Sequence, residues 1–284
     1  MSQTVLITGC SSGIGQATAR YFAKRGWNVA ATVRNLAVLE SVSTPLNVAA
    51  FELDVTKEHT IATAVDAAKR RFGSIDVVVN NAGYGLFGPF EGATAEQFEE
   101  QFRTNVFGVA AVLRHVLPVM RKQRSGTVVN MSSIGGRVAS PLASAYYSTK
   151  FAIEGLSESL RFELKPHGIR VKLVEPAHFK TNFLTRSLDH AKHPAYDSQW
   201  KNMQAWMLRE DEDAPDPAQV AEAVYQCATD PSDRLRYPVK GAHILWLRAL
   251  LPDAIWRKFM GAGLTRHPDD GFFRRAGRDR RAAS

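Results

Sequence analysis

Residues 4–15 read TVLITGCSSGIG, and this stretch decides the fold that we expect for the chain. Thr4 to Thr8 is a short apolar run typical of a buried strand, and apolar residues recur at helical spacing from Ile14 to Arg25. A glycine-rich turn between a strand and a helix lets the backbone approach a pyrophosphate, whose charge the helix N-terminus stabilises. A tight connection without a ligand is the alternative. The residues expected at this nucleotide site are Gly9, Ser11, Ser12, Gly13, Ile14 and Gly15.

The second apolar run, Trp27 to Val33, ends directly before Arg34. In this order of elements the end of the second strand faces the adenosine ribose, where an acid would bind a free 2′-hydroxyl and an arginine would accept a 2′-phosphate. Val33 stands where the acid would be expected, and Arg34 follows it. The sequence therefore favours NADP(H) over NAD(H), with Ser11 and Ser12 as further phosphate donors. A surface arginine without a ligand is the alternative.

Strands and helices alternate along the rest of the chain. Apolar runs predict strands at residues 48–53, 75–79, 126–131 and 168–174, separated by segments with helical spacing. This alternation predicts an α/β fold of Rossmann type, a doubly wound parallel sheet of about seven strands with helices on both faces, in a single domain. Ligands bind at the carboxyl ends of strands in such sheets. The residues expected on that rim, besides the glycine turn, are Arg34, Asp54, Asn80 to Gly83, Ser133 and Pro176.

Tyr146 and Lys150 are four residues apart in a run with helical spacing, so they should lie on one face of a helix. A nearby ammonium group favours phenolate and would lower the pKa of the tyrosine from about 10 toward a range useful for proton transfer. The spacing alone is also typical of an ordinary amphipathic helix. The pair becomes a candidate proton-transfer centre because Ser133 follows a predicted strand on the same rim.

The composition excludes disorder along the whole chain, since 45% of the 284 residues are apolar and 23% are charged. The two cysteines, Cys10 and Cys227, fit neither a disulfide framework nor a metal site, so no metal is expected. The net charge of +8 is compatible with nucleic-acid binding. Because the last eleven residues hold five arginines against one aspartate, we expect a solvated tail there, and no nucleic-acid partner.

No run approaches the ~20 consecutive apolar residues that a membrane-spanning helix needs. Charges and Pro252 interrupt the nearest segment, Ile244 to Met260, which is interpreted as an amphipathic cap, with a membrane-surface helix as the alternative. The start shows no signal peptide, so a cytoplasmic protein is expected. We expect residues 1–262 to form the dinucleotide-binding domain, with a substrate lid near 183–208 and a cap near 239–262. Residues 263–284 would be a basic, flexible tail.

Several motifs together resemble the short-chain dehydrogenase/reductase family, from Thr4 to about Pro238. They are Thr8-Gly9-x-x-x-Gly13-Ile14-Gly15, Asn80-Asn81-Ala82-Gly83, Asn105, Ser133 and Tyr146-x-x-x-Lys150. Thirteen residues separate Ser133 from Tyr146, which is the interval of the family and favours Ser133 over Ser132. Tyr147 does not fit the motif as the tyrosine, because a phenylalanine and not a lysine stands four residues after it.

The resemblance implies a mechanism. Tyr146 would act as general acid in reduction, or as base in oxidation, while Ser133 hydrogen-bonds the substrate oxygen. Lys150 would hold the nicotinamide ribose and lower the pKa of Tyr146. Asn105 would anchor a water in a proton relay.

The resemblance also implies further contacts with the cofactor. Asp54, with Val55 beside it, would contact the adenine, and Thr181 would donate to the nicotinamide carboxamide. Ala177 departs from the glycine that the family often has after the proline, which affects the backbone of this loop. The other residues implied at the cofactor are Asn80, Ala82, Gly83, Tyr146, Lys150 and Pro176.

Within the family, the glycine turn and the segment Ala31 to Asn35 are similar to the 17β-hydroxysteroid and retinol dehydrogenase-like branch, which acts on apolar ketones and alcohols. This likeness implies a small hydrophobic carbonyl or alcohol substrate. Apolar residues from Phe183 to Leu208 would form a lid over the nicotinamide, or pack as helices on the core. The family also implies a homodimer or homotetramer through the helices predicted at 98–120 and 146–165.

An NADP-binding sensor without catalysis is the alternative function from a different class. A pure sensor has no need of a complete proton-transfer set. The set found here comprises Ser133, Tyr146, Lys150 and Asn105.

Overall fold

A computed structural model of the chain describes residues 2–38, 46–181 and 187–265. Its strands are β1 (Thr4–Ile7), β2 (Asn28–Val33), β3 (Val48–Glu52), β4 (Val77–Asn80), β5 (Gly85–Phe87), β6 (Gly126–Met131), β7 (Ile169–Pro176), β8 (Leu188–His190) and β9 (Arg236–Val239). Its α-helices are α1 (Gly13–Ala23), α2 (Glu58–Phe72), α3 (Ala95–Phe102), α4 (Gly108–Gln123), α5 (Ser144–Leu164), α6 (Asp197–Glu212), α7 (Ala218–Thr229), α8 (Ala242–Leu250) and α9 (Asp253–Thr265).

Seven of these strands form one parallel sheet in the order β3-β2-β1-β4-β6-β7-β9. The chain moves outward from β1 to β3 and then returns to place β4 on the other side of β1. Connections therefore leave β1 and β4 in opposite directions, which opens a crevice above their carboxyl ends. The predicted single-domain, doubly wound α/β fold is confirmed.

Alternate residues of the strands point to opposite faces of the sheet, and each face has its own apolar core. On one face, Leu6 and Val78 pack with helices α2, α4 and α5. On the other face, Val5, Ile7 and Val29 pack with α1 and α7. Because both faces are covered, the central strands are apolar throughout and not alternately polar.

The segment predicted as one or two helices at 98–120 begins at α3 and continues into α4 through a π-helical turn, Arg103–Phe107. A capping box fixes its start, because Thr94 accepts a hydrogen bond from the Gln97 amide and the Gln97 side chain accepts one from the Thr94 amide. The π turn contains Asn105. Such turns often occur at functional sites.

A second, two-stranded sheet was not expected from the sequence. Strands β5 and β8 pair in parallel, with Gly85 opposite Leu188 and Phe87 opposite His190. Each strand has three residues, too few to show a periodicity. This small sheet ties the segment after β4 to the segment after β7.

The segment from Ile244 to Met260 contributes to two short helices, α8 and α9. Among the residues that the structure describes, none of the helices combines the length and the apolar character needed to cross a membrane. The arginine-rich residues 274–284, and Phe183 and Leu184 of the predicted lid, lie outside the described residues.

We expect replacement of the buried Leu6 by alanine to lower the free energy of unfolding by about 2–5 kcal/mol, because it leaves a cavity in the centre of the sheet. Leu250→Ala is the matched control, since that side chain is 76% exposed, and it should change stability by less than about 0.5 kcal/mol. Urea denaturation followed by circular dichroism measures both. Equal effects of the two substitutions would contradict the position of Leu6 in the core.

Candidate active site

The glycine turn between β1 and α1 has the backbone geometry of an anion cradle. Gly9 and Gly13 have φ angles of +74° and +57°, which residues with a side chain rarely adopt. A Cβ atom on Gly15 would overlap the carbonyl oxygen of Gly9, so the turn closes only with glycine there. The first turn of α1 contains no acidic residue, and Ser12 at its N-cap makes no side-chain capping bond. The positive end of α1 therefore remains available for a phosphate group.

Asn81 holds this turn in place, a role that the sequence did not reveal. Its side-chain amide donates to the carbonyl oxygens of Thr8 at 2.9 Å and Gly9 at 3.2 Å. In the other direction, the Thr8 hydroxyl accepts hydrogen bonds from the amides of Asn81 at 2.9 Å and Ala82 at 3.0 Å. The segments that follow β1 and β4 are thus bonded to each other, directly below the position expected for the pyrophosphate.

Asn80, which we expected to contact the cofactor, lies inside the sheet. It is 3% exposed, and its amide donates to Asn130 at 2.8 Å, which in turn donates to Ser157 on α5 at 2.9 Å. This buried polar chain joins β4, β6 and α5. The side chain of Asn80 therefore helps to hold the sheet, and a contact of this residue with a cofactor stays a prediction. Ala82 and Gly83, which follow it, reach the rim.

Arg34 is exposed immediately after β2, and Asp54 lies across from it after β3. The Asp54 carboxylate accepts hydrogen bonds from the amide and the hydroxyl of Thr56, at 3.0 and 2.7 Å. Burial raises the pKa of Asp54, but these bonds and the charges of Lys57 and Arg34 together outweigh burial and lower it. Asp54 is therefore an ionised acceptor near the exposed Arg34 guanidinium group. Val55 is buried and packs against Gly108 at the start of α4.

Ser133 stands between β6 and the carbonyl of Pro176 at the end of β7. Its hydroxyl accepts a hydrogen bond from the Gly135 amide at 3.0 Å and donates one to the Pro176 carbonyl at 3.3 Å. The side chain of Ser133 is also hydrogen-bonded to Tyr146. The structure thus brings together the serine and tyrosine that the thirteen-residue interval selects.

Tyr146 and Lys150 lie one turn apart at the start of α5, as the spacing predicts. The Lys150 ammonium nitrogen is 5.6 Å from the centre of the Tyr146 ring and donates to the Met131 carbonyl at 2.9 Å. Tyr147 points elsewhere, since its hydroxyl shares a hydrogen bond of 2.6 Å with Ser140 and its ring covers Gly135. Tyr146, and not Tyr147, is therefore the tyrosine beside Ser133 and Lys150.

Burial, and not charge, dominates the protonation of this pair. Burial raises the pKa of Tyr146 well above its ordinary value, although the hydrogen bond to Ser133 opposes the shift. Burial also lowers the pKa of Lys150 to about 8, with Glu154 acting in the opposite direction. In the protein alone, burial outweighs any effect of the Lys150 charge on the pKa of Tyr146, so the expected lowering of this pKa by Lys150 stays a prediction. Tyr146 keeps its proton at neutral pH, which suits a general acid.

Asn105 is buried in the π turn, and its side chain is fully engaged as a donor. Its amide group donates to the Tyr84 carbonyl at 2.8 Å and to the Thr149 hydroxyl at 3.2 Å, and its oxygen accepts from the Tyr84 amide at 3.1 Å. Thr149 directly precedes Lys150. The side chain of Asn105 therefore fixes α5 and the loop after β4 relative to each other, and a water anchored by this residue stays a prediction.

The first residues after β7 reach the glycine turn. Thr181 lies over the glycine turn, because a Cβ atom on Gly13 would be 3.5 Å from the Thr181 Cβ. The Ala177 amide donates to the Val239 carbonyl at 3.1 Å, so alanine fits in this loop without distortion of its backbone. A groove of about 390 Å³ begins at Gly13 and Thr181 and continues along the basic outer side of α1, away from Tyr146.

An aromatic side chain lies against the Tyr146 ring. The Phe87 ring, at the end of β5, lies 5.5 Å from the Tyr146 ring between centres. Leu86, Ala145 and Ala191 pack together beside it. In the predicted lid, Leu188 belongs to β8, whereas Trp206 in α6 is 40% exposed and Met207 is buried. Phe87 was missed in the sequence because it lies in a segment without periodicity.

Comparison with known proteins places this geometry in a known group. A family model described as short chain dehydrogenase matches residues 3–192. An uncharacterized oxidoreductase of Bacillus subtilis is 37% identical over 271 residues, covering 90% of this chain and 96% of its own length. Human retinol dehydrogenase 8 is 37% identical over 209 residues, covering 69% of this chain and 66% of its own length.

Solved structures give the same result. A short-chain dehydrogenase from Streptomyces avermitilis has a TM-score of 0.77 and 35% identity, covering 91% of this chain and 97% of that one. The protein ElxO, solved with NADP bound, has a TM-score of 0.70 and 27% identity, covering 86% and 99% of the two chains. The resemblance inferred from the motifs is confirmed.

Gly15→Ala should weaken binding of NADPH about tenfold or more, because the added methyl group overlaps the Gly9 carbonyl and forces the turn open. Gly155→Ala is the matched control, since a Cβ atom there meets nothing within 4 Å on α5, and its affinity should equal that of the unmodified protein. Titration of cofactor fluorescence measures both affinities. Unchanged binding in Gly15→Ala would place the dinucleotide elsewhere.

Proposed function

The chain belongs to the short-chain dehydrogenase/reductase family of oxidoreductases, and on this premise we propose that it is an NADP(H)-dependent enzyme acting on a carbonyl or alcohol group of a hydrophobic substrate. The observation that carries the proposal is the hydrogen bond between Ser133 and a half-buried, protonated Tyr146, with Lys150 one turn away. The Tyr146 hydroxyl can donate a proton, and the Ser133 hydroxyl beside it can hydrogen-bond the same substrate oxygen. That is what reduction of a carbonyl group requires at the substrate oxygen.

The residues present fit a dinucleotide. The glycine cradle and the uncapped end of α1 suit the pyrophosphate, Asp54 suits the adenine end, and Thr181 lies above the turn. Arg34 would bind a 2′-phosphate, and it is the reason for proposing NADP(H) over NAD(H). The chemistry that a bound nicotinamide would supply here is hydride transfer.

Binding of the substrate oxygen and transfer of the proton are assigned to residues of the chain. The Ser133 hydroxyl, oriented by the Gly135 amide, is placed to hold the substrate oxygen beside the Tyr146 hydroxyl. Tyr146 then donates its proton in reduction, or accepts one in oxidation. A lysine at the distance of Lys150 stabilises the phenolate that is left. Phe87 excludes water from one side of the tyrosine ring.

A hydrophobic substrate of steroid, retinoid or ketone type is proposed from the apolar surroundings of Tyr146. Phe87 lies against its ring, and the wall beside it is built from apolar side chains. Binding sites for such molecules are mostly apolar with few polar groups. The similarity to retinol dehydrogenase 8 supports the same class of substrate.

The quaternary state and the location are also proposals. Phe107, in the π turn, and Phe151 and Phe162, on α5, are 62%, 46% and 68% exposed, which supports a homodimer or homotetramer through this side of the molecule. The two cysteines are buried and unpaired, which fits a reducing compartment such as the cytoplasm.

Tyr146→Phe should lower kcat about 10²–10⁴-fold with NADPH and a hydrophobic ketone, because it removes the proton donor. Affinity for NADPH should hardly change. Tyr147→Phe is the matched control, since that hydroxyl is bonded to Ser140, and it should keep its activity. Absorbance of NADPH under steady-state conditions measures the rates. Full turnover by Tyr146→Phe would refute the assignment of the acid.

Arg34→Asp should reduce the ratio of NADPH to NADH affinity about 10- to 100-fold, which corresponds to the ~1.5–3 kcal/mol of a hydrogen-bonded charged group. Arg71→Asp controls for the change in charge, because Arg71 is an exposed residue at the far end of α2. Calorimetric titration with both cofactors gives the ratio. The choice of NADP(H) fails if both variants keep the same ratio as the unmodified protein.

A further inference from the structure

Two glutamates and one arginine meet behind the Ser133 turn. Glu154 on α5 is 6% exposed and Glu175 near the end of β7 is fully buried. Arg236, at the start of β9, places its Nε atom 2.9 Å from Glu154 and 3.5 Å from Glu175. Its terminal nitrogen donates to the exposed Glu158 at 2.9 Å. The cluster therefore contains two buried carboxyl groups for one guanidinium group.

Three of the four carboxyl oxygens of the buried pair lack a hydrogen-bond donor among the described residues. These are both oxygens of Glu175 and one oxygen of Glu154, which are buried and have no hydrogen-bond partner in the part of the chain that the structure describes. The Arg236 Nε atom lies within 3.5 Å of both side chains, which makes the two carboxyl groups neighbours placed for one hydrogen bond between them. That bond exists only when one of them carries a proton, since two carboxylates offer no donor. Two adjacent buried carboxyl groups cannot both ionise at low cost.

The pair contacts the reaction centre through the backbone and through charge. Glu154 lies one turn after Lys150 on α5, and a Cβ atom on Gly136, in the Ser133 turn, would be 2.9 Å from the Glu154 Cγ. Glu175 directly precedes Pro176, whose carbonyl accepts the Ser133 hydroxyl. A change in the charge or spacing of the pair would therefore affect both Lys150 and Ser133, which lie on either side of Tyr146.

We propose that Glu154 and Glu175 share one proton and act as a positioning pair, in which the negative charge left on Glu154 keeps Lys150 an ammonium ion. The shared proton lets Glu154 remain charged beside Glu175. The catalytic part of this inference rests on the proposed function. The proton sharing does not, because it is a property of the folded protein alone.

Charges on every side of the pair are consistent with this assignment. Burial raises the pKa of Glu175, and Glu154 raises it further, whereas Arg137 and Arg236 act in the opposite direction. Burial lowers the pKa of Lys150 to about 8, and Glu154 is the group that opposes this shift. Without the charge of Glu154, Lys150 would lose its proton closer to neutral pH.

The first measurement concerns stability and needs neither substrate nor cofactor. Because the folded protein holds the proton of Glu175 at a pH where the unfolded chain, with a glutamate pKa of about 4.3, has released it, the stability that this proton provides is lost as pH rises toward neutral. Glu175→Gln keeps a donor toward Glu154 and cannot titrate. As the pH rises from about 5 to about 7.5, the unmodified protein should lose stability that Glu175→Gln does not lose. The denaturation midpoint of the variant minus that of the unmodified protein should therefore increase over this range.

Glu158→Gln is the matched control for this measurement. Glu158 is exposed and Arg236 lowers its pKa, so its contribution to stability changes only below about pH 4.5. Across the neutral range its midpoint should run parallel to that of the unmodified protein. If Glu175→Gln runs parallel as well, the two glutamates do not share a proton and the proposal is overturned.

The second measurement is the pH profile of kcat/KM with NADPH and a ketone. In Glu154→Gln the alkaline limb should move to lower pH by about one unit, a tenfold loss near pH 8.5 with little change near pH 6. Glu154→Asp, which keeps the charge, should restore the limb, and Glu158→Gln should not move it. A purely structural role would lower activity at every pH and would leave the position of the limb unchanged, which would overturn the role of Glu154.

The two measurements separate this inference from the proposed function. If no ketone or alcohol is turned over but the stability profile is as expected, the proposed function fails and the proton sharing stands. If turnover is normal but neither the limb nor the stability profile responds, the proposed function stands and the positioning pair is refuted.

Discussion

The hydrogen bonds around Thr8 hold together the two halves of the molecule where the strand order reverses. Its hydroxyl accepts from the backbone after β4, and Asn81 returns two bonds to the backbone of the glycine turn. Parallel strands whose connections diverge leave a crevice, and a crevice between two independent segments would be wide and variable. These bonds fix its floor, so the glycine cradle, Ala82 and Thr181 keep the separation that a dinucleotide needs.

Polar groups inside this fold serve structure as often as chemistry. Asn80, Asn130 and Ser157 form a buried chain across the sheet, and Asn105 uses both of its amide protons to fix the loop after β4. Buried amide donors that are paired in this way favour one arrangement of the strands and helices. The reaction centre depends on them because α5, which carries Tyr146 and Lys150, is bonded to both networks.

Burial explains the protonation states at the reaction centre better than pairing of charges does. Burial raises the pKa of Tyr146, so the tyrosine keeps its proton. Burial also lowers the pKa of Lys150, so the lysine loses its proton more easily. A catalytic acid with a raised pKa and a lysine with a lowered one are both obtained by taking polar groups out of water. The charge of Glu154 opposes this lowering of the Lys150 pKa, and in our proposal a proton held by Glu175 lets Glu154 keep that charge.

The sequence by itself determined the alternation of strands and helices, the glycine turn, and the spacing of Ser133, Tyr146 and Lys150, because these features depend on neighbours within a few residues. Tertiary structure alone decided that Asn80 faces inward, that Asn81 clamps the turn, and that Phe87 covers the tyrosine. It also decided the pairing of Glu154 with Glu175, which are 21 residues apart. Such contacts join segments that are distant along the chain, and pKa values follow burial, which no local pattern of residues reports.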